Sequence, residues 1–386
     1  MTILSCVLGV YLTLASVYMF IFAIASQRPK TKSELSNISE QSIAVFIPAY
    51  KEDAVIFNVA RLALNQNYSN FDVYVIADSL QPSTLKQLST IPVRVIEVSF
   101  EKSTKVKALK TAMDLIKRDY EIALILDADN IMEKQFLRII NEEYSKGYKV
   151  IQARRVAKNM NSNFAVLDAV SEAINYNIYN QGQINLGFSA RLVGSGMAFN
   201  YDLFKQLIYD AKAVGGFDKE MELNLLKEGE YIHYIHNAIL WDEKVTKGSV
   251  FGRQRTRWVS AQFYYLKVHI WSAIKGLFVK GNIDYFNKLC QMALPPRLLI
   301  PVFLLIGCIV HYFVMPQLFV IWALGFTANF IANLISTPRY MINKKLLKSA
   351  FSLPSAFIIM VFAMFKLRGA NKTFIHTPHE STGNTF

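Results

Sequence analysis

Long apolar segments at both ends of the chain restrict its fold most strongly, because stretches of this length must be buried in protein or in lipid. Residues 1–26 contain no charged side chain, and Arg28, Lys30 and Lys32 follow at once. A cleaved signal peptide carries its charges before the apolar segment, so this order predicts an uncleaved transmembrane anchor. Because cations mark the cytoplasmic end of a span, we expect the chain from residue 27 onward to face the cytoplasm.

Three more apolar runs lie near the other end of the chain. Residues 298–314 and 318–335 predict a tight helical hairpin, since a spanning helix needs about 20 apolar residues. The third run, 350–365, is shorter and contains Pro354. Its sequence leaves open whether it spans the membrane, re-enters it or lies in the interface. We therefore expect a multi-pass protein of the cell (inner) membrane.

The middle of the chain alternates strand-like and helix-like segments, from an apolar strand at 43–47 to a short strand at 150–152. This alternation predicts an α/β domain with a mostly parallel sheet and helices on both faces. Cys6, Cys290 and Cys308 lie in or beside apolar segments, so the middle has neither a disulfide framework nor a cysteine metal site. That usage agrees with a reducing, cytoplasmic domain.

Residues 251–290 interleave basic and aromatic side chains, and the whole chain carries a net charge of +13. Such a composition suits amphipathic helices in the membrane interface, and it also suits a nucleic-acid surface. The adjoining apolar hairpin favours the membrane, so anionic lipid is the expected partner and nucleic acid is not. The predicted domains are a transmembrane anchor at 1–26, a cytoplasmic α/β domain at 43–250, interfacial helices at 251–295, a membrane region at 296–366 and a tail at 367–386.

Asp127 and Asp129 follow the apolar strand 122–126 and are separated by one residue. Open α/β sheets bind ligands at the carboxyl ends of their strands, and alternate residues share a face, so both carboxylates can lie in one site. Hard anionic oxygens suit Mg2+ or Mn2+ held against a diphosphate. The alternative is a solvated turn in which an aspartate caps the next helix.

Two earlier strands also end in polar groups. The first is followed by Tyr50 and Glu52, in the run Pro-Ala-Tyr-Lys-Glu, and the second ends at Asp78. Because parallel strands end at the same edge of a sheet, the three strand ends together predict one carboxylate-lined pocket for a nucleotide and its metal.

The order of these motifs resembles a family 2, GT-A type, inverting glycosyltransferase. More narrowly, it resembles the membrane-embedded processive synthases of cellulose, chitin and hyaluronan, from about residue 43 to residue 260. The resemblance implies that Lys105 lies near the donor diphosphate and that Asp127 and Asp129 bind Mg2+ or Mn2+. It also implies that the uridine of a UDP-sugar is held by Pro48, Ala49, Tyr50, Glu52 and Asp78.

Motifs further along the chain extend the resemblance. The turn Gly194-Ser195-Gly196 matches an acceptor-side motif. The motif Q-x-x-R-W is complete and is the most specific signal, because it follows all the others in the right order. It implies that Gln254 and Arg257 bind the donor, with Arg257 at the diphosphate, and that Trp258 lies against an acceptor sugar ring.

The catalytic base is where the sequence departs from the family. The base is usually the Asp of an E-D motif before a helix, and an inverting transfer needs such a group to take the proton of the attacking hydroxyl. Asp218 takes that place, with Phe217 where the family has Glu, and Glu220 is the alternative. The tail resembles, weakly, the F-x-V-T gating loop of cellulose synthases, with His376 in place of Val.

These observations predict a metal-dependent hexosyl- or N-acetylhexosaminyltransferase that extends a β-linked polysaccharide. The alternative is a non-processive enzyme that glycosylates a lipid acceptor, and a different class is a non-catalytic subunit that binds a nucleotide-sugar or glycan. Few predicted spans make a one-chain export channel hard to build. A homo-oligomer or an accessory export subunit is therefore the expected partner of a polymerising enzyme.

Overall fold

The computed structural model describes residues 2–28, 38–246 and 248–366. The predicted gating segment within the tail at 367–386 lies outside the described residues.

The described chain forms two compact units. The first, the sheet unit, comprises residues 38–159 and 191–244. The second, the helical unit, comprises residues 2–28, 160–190 and the described residues beyond 244. Residues 160–190, which fall inside the predicted 43–250 domain, thus group with the apolar helices.

Eight strands make up the single sheet of the sheet unit. In chain order they are β1 (Ile43–Tyr50), β2 (Phe71–Asp78), β3 (Arg94–Val98), β4 (Ile122–Ile125), β5 (Ile131–Met132), β6 (Val150–Ala157), β7 (Met197–Asn200) and β8 (His233–Asp242).

The α-helices are numbered in chain order through both units. They are α1 (Thr2–Ala25), α2 (Ile56–Ala63), α3 (Pro82–Leu88), α4 (Lys105–Leu115), α5 (Phe136–Ser145), α6 (Asn163–Tyr176), α7 (Gly182–Asn185), α8 (Tyr201–Asp210), α9 (Phe217–Glu228), α10 (Gly248–Lys280), α11 (Ile283–Ala293), α12 (Ile300–Val314), α13 (Pro316–Ser336), α14 (Lys344–Ala350) and α15 (Leu353–Phe365). A π-helical turn, Asn177–Gln181, joins α6 to α7.

The sheet has the strand order β3-β2-β1-β4-β7-β6-β8-β5. The first four strands are parallel to one another, with Ile43 opposite both Phe71 and Ile122. β7 runs antiparallel to both of its neighbours, β4 and β6, while β6 and β8 are parallel. The expected mostly parallel sheet is therefore correct for the β3-β2-β1-β4 half, and the sheet as a whole is mixed.

The strands β1, β2 and β4 form the centre of the core because their apolar residues are buried on both faces, as parallel strands usually are. On one face, Val45, Ile47 and Val75 pack within the main apolar cluster. On the other face, the Phe46 ring stacks on Tyr74, with 5.7 Å between ring centroids. This rigid centre places three strand ends at one edge of the sheet.

Long apolar helices form in the helical unit where the sequence predicted them. Among the described residues, two helices are long and apolar enough to cross a membrane, Ile3–Ala25 and Pro316–Ser336. Ile300–Val314 is shorter, and α14 and α15 form an apolar pair bent by 53°. These helices are identified by their length and composition alone, so it stays a prediction that they cross a membrane.

α1 is joined to the rest of the helical unit by polar contacts as well as by apolar packing. Tyr18 donates to the Asn287 side chain on α11 at 2.7 Å, and Thr13 donates to the Ile321 carbonyl on α13 at 2.9 Å. The Asn185 side chain donates to the Ala25 carbonyl at 2.9 Å. The predicted anchor is thus an integral part of this unit.

Gly307 allows α12 to approach α13 closely. A Cβ atom at Gly307 would lie 1.9 Å from the Trp322 ring. We expect Gly307→Ala to destabilise the helical unit by about 1–3 kcal/mol, because the helices must separate. Gly276→Ala on α10 is the matched control, since its added Cβ finds its nearest heavy atom at 3.6 Å.

The control variant is expected to stabilise the chain by up to about 1 kcal/mol through the higher helix propensity of alanine. Thermal unfolding of detergent-purified protein, followed by circular dichroism, should show midpoints that shift in opposite directions. A Gly307→Ala protein that melts at or above the wild-type midpoint would contradict the close packing.

Candidate active site

The ends of β1 and β2 carry the predicted nucleotide-binding residues. Tyr50 lies opposite Asp78 in the parallel ladder, and the Lys51 amide donates to the Asp78 carbonyl at 3.1 Å. Lys51 and Ser79, which follow the two strands, have left-handed backbones with φ of 55° and 57°. Non-glycine residues avoid this region unless the surrounding structure holds them there, and such strain concentrates at functional sites.

Pro48 lies inside a central strand, a position that normally requires a backbone donor. The Leu126 amide donates to the Phe46 carbonyl, so Phe46 faces β4, and the alternate residue Pro48 faces the same way. The β1–β4 ladder has already ended at Phe46. The proline therefore removes no hydrogen bond from that ladder, and β1 reaches beyond β4 towards the site. Ala49, in β1, and Glu52, which follows the strand, are both buried.

Asp127 and Asp129 lie in the turn that follows β4, as predicted. Asp129 is buried, and its Oδ2 accepts from the Glu243 amide at 2.8 Å while its Oδ1 accepts from the Asn130 side chain at 3.1 Å. The Asp127 amide donates to the Asn130 side chain at 2.9 Å, which closes the turn. The Asp127 carboxylate remains 37% exposed, so it is the more accessible of the two.

Lys105, the first residue of α4, connects several predicted site residues. Its Nζ donates to Asp127 Oδ1 at 2.6 Å and to the Gly194 carbonyl at 2.9 Å. It also donates to the Leu126 carbonyl at 3.2 Å and lies 5.2 Å from the centroid of the Phe217 ring. The ammonium thus joins the carboxylate turn after β4 to the glycine turn before β7.

The turn Gly194-Ser195-Gly196 precedes β7 and needs its glycines for conformational reasons. Gly194 and Gly196 have φ of 88° and 62°. The buried Gln152 side chain holds the turn, since it accepts from the Val193 amide and donates to the Ser195 carbonyl, both at 3.0 Å. A Cβ atom at Gly196 would lie 3.0 Å from the Leu240 side chain, so the turn also packs closely.

Asp218 and Glu220, the two candidate bases, have different surroundings. A Cβ atom at Gly194 would lie 3.9 Å from Asp218 Cγ, so the Asp218 carboxylate lies beside the glycine turn. Glu220 instead accepts from the backbone amides of Lys212 at 3.1 Å and Ala213 at 2.9 Å. Glu220 therefore holds the loop between α8 and α9, and the assignment of the base stays a prediction.

Arg155, Asp242 and Lys244 join the site although sequence reasoning missed them. Arg155 Nη1 lies 4.0 Å from Asp127 Oδ2, and its Nε lies 3.7 Å from Asp242 Oδ2. The buried Lys244 pairs with Asp242 Oδ1 at 2.6 Å, and Arg155 also donates to the Ser195 hydroxyl at 3.3 Å. Two features of the sequence could have indicated these residues. One is the arginine pair that continues the strand predicted at 150–152, and the other is the charged end of β8.

Gln254, Arg257 and Trp258 lie on α10 in the helical unit. Arg255, the neighbour that the motif leaves unspecified, forms an ion pair with Asp168 on α6. Its guanidinium lies 4.5 Å from the centroid of the Trp258 ring, and Trp258 is 38% exposed. The donor contacts of Gln254 and Arg257 and the acceptor contact of Trp258 stay predictions.

A divalent metal fits the donor set of this turn. Among the described residues, no group of three or more His, Cys, Asp or Glu side chains converges on one point. Mg2+ is usually held by one or two carboxylates together with substrate phosphates, which is what Asp127 and Asp129 provide. These two residues are therefore the ones that would hold Mg2+ or Mn2+ on a donor diphosphate.

Comparisons with known proteins identify the family and the fold of the chain. The profile of a family described as "Glycosyltransferase like family 2" matches residues 40–261, more than half of the chain. "Probable glycosyltransferase YdaM" of Bacillus subtilis (strain 168) is 23% identical over 254 residues. That match covers 61% of this chain and 58% of the relative, which is less than two thirds of the relative's length.

One solved structure with a similar fold is "Mannosyltransferase PcManGT from Pyrobaculum calidifontis in complex with GDP-Man and Mn2+". The similarity has a TM-score of 0.55 and 14% identity, and it covers 86% of this chain and 98% of that one. At this identity the likeness shows the fold alone, an α/β fold of the GT-A type.

The hydrogen bonds of Glu220 should protect two amides of the α8–α9 loop from hydrogen exchange. We expect Glu220→Gln to accelerate hydrogen exchange at the Lys212 and Ala213 amides about tenfold, because a charge-assisted acceptor is replaced by a neutral one. Mass spectrometry of the exchanged peptides measures this change. Asp218→Asn is the control and should leave the exchange rate of the same peptide unchanged. Equal exchange rates in wild type and Glu220→Gln would contradict the hydrogen bonds from the two amides to Glu220.

Proposed function

This chain belongs to the glycosyltransferase-like family 2, and from that premise we propose a membrane-embedded inverting enzyme that transfers a sugar from a UDP-sugar to a growing β-linked polysaccharide. The position of Lys105 carries the proposal. Its ammonium contacts Asp127, the predicted donor side, and Gly194, the predicted acceptor side, within one hydrogen-bond length of each. Donor and acceptor motifs therefore share one site.

The donor occupies the edge formed by the ends of β1, β2 and β4. Asp78 and the segment from Pro48 to Glu52 hold the nucleoside. Asp127 and Asp129 would hold the metal, and Lys105 would contact the diphosphate. When bound, the metal would neutralise the negative charge that develops on the departing diphosphate. The solved mannosyltransferase of similar fold contains Mn2+, which supports a divalent cofactor.

The acceptor hydroxyl lies beside the glycine turn, where Asp218 removes its proton as the oxygen attacks the anomeric carbon. Attack from the face opposite the diphosphate inverts the anomeric configuration. Glu220 keeps the loop before α9 in place, and the left-handed Gly216 begins the helix that carries Asp218. Arg155 orients Asp127 and Ser195, the residues on either side of the reacting sugar.

The surface of α10 supports contact with a membrane. Trp271 and Phe278 are 78% and 82% exposed, and Tyr264 and Val268 extend the same stripe along the helix. Lysines beside the stripe are also exposed at 267, 275 and 280. Aromatic side chains with flanking cations suit the headgroup region of an anionic leaflet. With the apolar helices α1 and α13, this surface favours a multi-pass protein whose sheet unit faces the cytoplasm.

A single-sugar transfer to a lipid acceptor is the second candidate. The described residues contain two helices able to span a membrane, or three if the bent pair counts as one span. So few helices enclose a glycan channel only with the help of a second copy or an accessory export subunit. A lipid acceptor requires no such channel, and the length of the product distinguishes the two functions.

We expect Asp218→Asn to lower transfer by at least about a hundredfold, because the attacking hydroxyl loses its base. UDP affinity and thermal stability should change little, since the nucleoside site lies at the other strand ends. Glu220→Gln is the matched control and should retain transfer within about tenfold. Wild-type turnover by Asp218→Asn in purified membranes would eliminate this residue as the base.

The whole proposal is tested with membranes washed in alkaline carbonate and incubated with labelled UDP- and GDP-sugars and Mn2+. We expect the chain to stay in the washed membranes, to release UDP from one UDP-sugar and to transfer the sugar of that donor into a polymer. Release of the chain by the wash would exclude spanning helices. A product that carries one added sugar on lipid would select the second candidate.

A further inference from the structure

Both carboxylate oxygens of Asp127 face a cation that the chain itself supplies. Oδ1 accepts from Lys105 Nζ at 2.6 Å, and Oδ2 lies 4.0 Å from Arg155 Nη1. The Lys105 side chain is only 16% exposed, so solvent screens this pair incompletely. The predicted metal ligand thus has a cation of the chain near each of its two oxygens.

The position of Lys105 within α4 is unfavourable for the helix. It is the first helical residue, and the first turn has no acidic side chain. A helix N-terminus carries partial positive charge and disfavours cations. Contact with Asp127 offsets this repulsion, and the contact, rather than helix stability, accounts for a lysine at this position.

We propose that Lys105 is the built-in counter-ion of Asp127 and that the divalent metal binds by displacing its ammonium. The inference rests on the proposed function for the metal and its diphosphate. Mg2+ binds carboxylate oxygen at about 2.0–2.1 Å, so a metal and an ammonium cannot both lie close to the same oxygen without strong repulsion. The two cations therefore compete for the Asp127 carboxylate.

The displaced ammonium has an anionic partner only when the diphosphate is present. The lysine stem is flexible, and the Gly194 and Leu126 carbonyls remain within reach as neutral acceptors. A diphosphate oxygen is the stronger acceptor, since both partners are then charged. Metal alone consequently binds weakly, and metal with diphosphate binds tightly, which couples cofactor binding to donor binding.

Two binding measurements on the detergent-purified full chain test this exchange. The first is the affinity for Mn2+ without nucleotide, which is measured from the electron paramagnetic resonance signal of the free ion. We expect Lys105→Met to bind Mn2+ about fivefold more tightly, because the competing charge is gone. Lys105→Gln should also bind Mn2+ about fivefold more tightly. Because the glutamine side chain can still donate to the neighbouring carbonyls, this variant controls for a folding defect.

Lys107→Met is the matched control. It removes the same charge from the same helical turn, yet Lys107 Nζ donates to the Lys102 carbonyl and does not contact Asp127. Its Mn2+ affinity should equal that of the wild type. In an Asp127→Asn background, Lys105→Met should give no gain, because the carboxylate charge for which the two cations compete is lost.

The second measurement is the affinity for UDP in the presence of Mn2+. Lys105→Met should bind about tenfold more weakly, so the same substitution shifts the two affinities in opposite directions. The proposed exchange of the Lys105 ammonium for the metal is wrong if Lys105→Met binds Mn2+ as tightly as the wild type or more weakly. It is also wrong if the affinity of this variant for UDP does not fall. A chain that shows both shifts but transfers no sugar from any donor supports the exchange and refutes the proposed transfer.

Discussion

The site depends on β4, which pairs with a parallel strand on one side and an antiparallel strand on the other. On the parallel side, β1 and β4 end at the same edge of the sheet, so the predicted nucleoside-binding segment from Pro48 to Glu52 and Asp127 lie at that edge. On the antiparallel side, the start of β7 opposes the end of β4, with Met197 opposite Ile125. The glycine turn before β7 therefore lies beside Asp127, although the two motifs are distant in sequence.

Charge compensation is the second constraint on this edge of the sheet. Lys105 pairs with Asp127, Arg155 lies between Asp127 and Asp242, and Lys244 pairs with Asp242. Each ion loses hydration on burial, and only close opposite charges offset that cost. Each of these carboxylates thus lies beside a cation that the chain supplies, and the exchange proposed for Lys105 rests on that balance.

Much of this arrangement could be predicted from sequence patterns. The apolar runs that end at Tyr50, Asp78 and Asp127 are strands, and the family that their motifs resemble is confirmed. β8 was missed because His233, His236 and Asn237 interrupt its apolar pattern, and a register shift after Ala153 breaks its ladder with β6. The narrower resemblance to processive synthases stays a prediction, since product length is a property that the fold does not encode.

The sequence by itself determined the elements that depend on local pattern: the apolar helices, the buried parallel strands and the order of the motifs. It favoured Asp218 as the base and kept Glu220 as the alternative, because Phe217 stands where the family has Glu. Only the tertiary structure distinguishes their surroundings, with Asp218 beside Gly194 and Glu220 on the amides of the α8–α9 loop, and the assignment of Asp218 as the base stays a prediction. It also brought Arg155 and Lys244 to Asp127 and Asp242, because long-range strand pairing, which no local pattern records, decides which side chains meet.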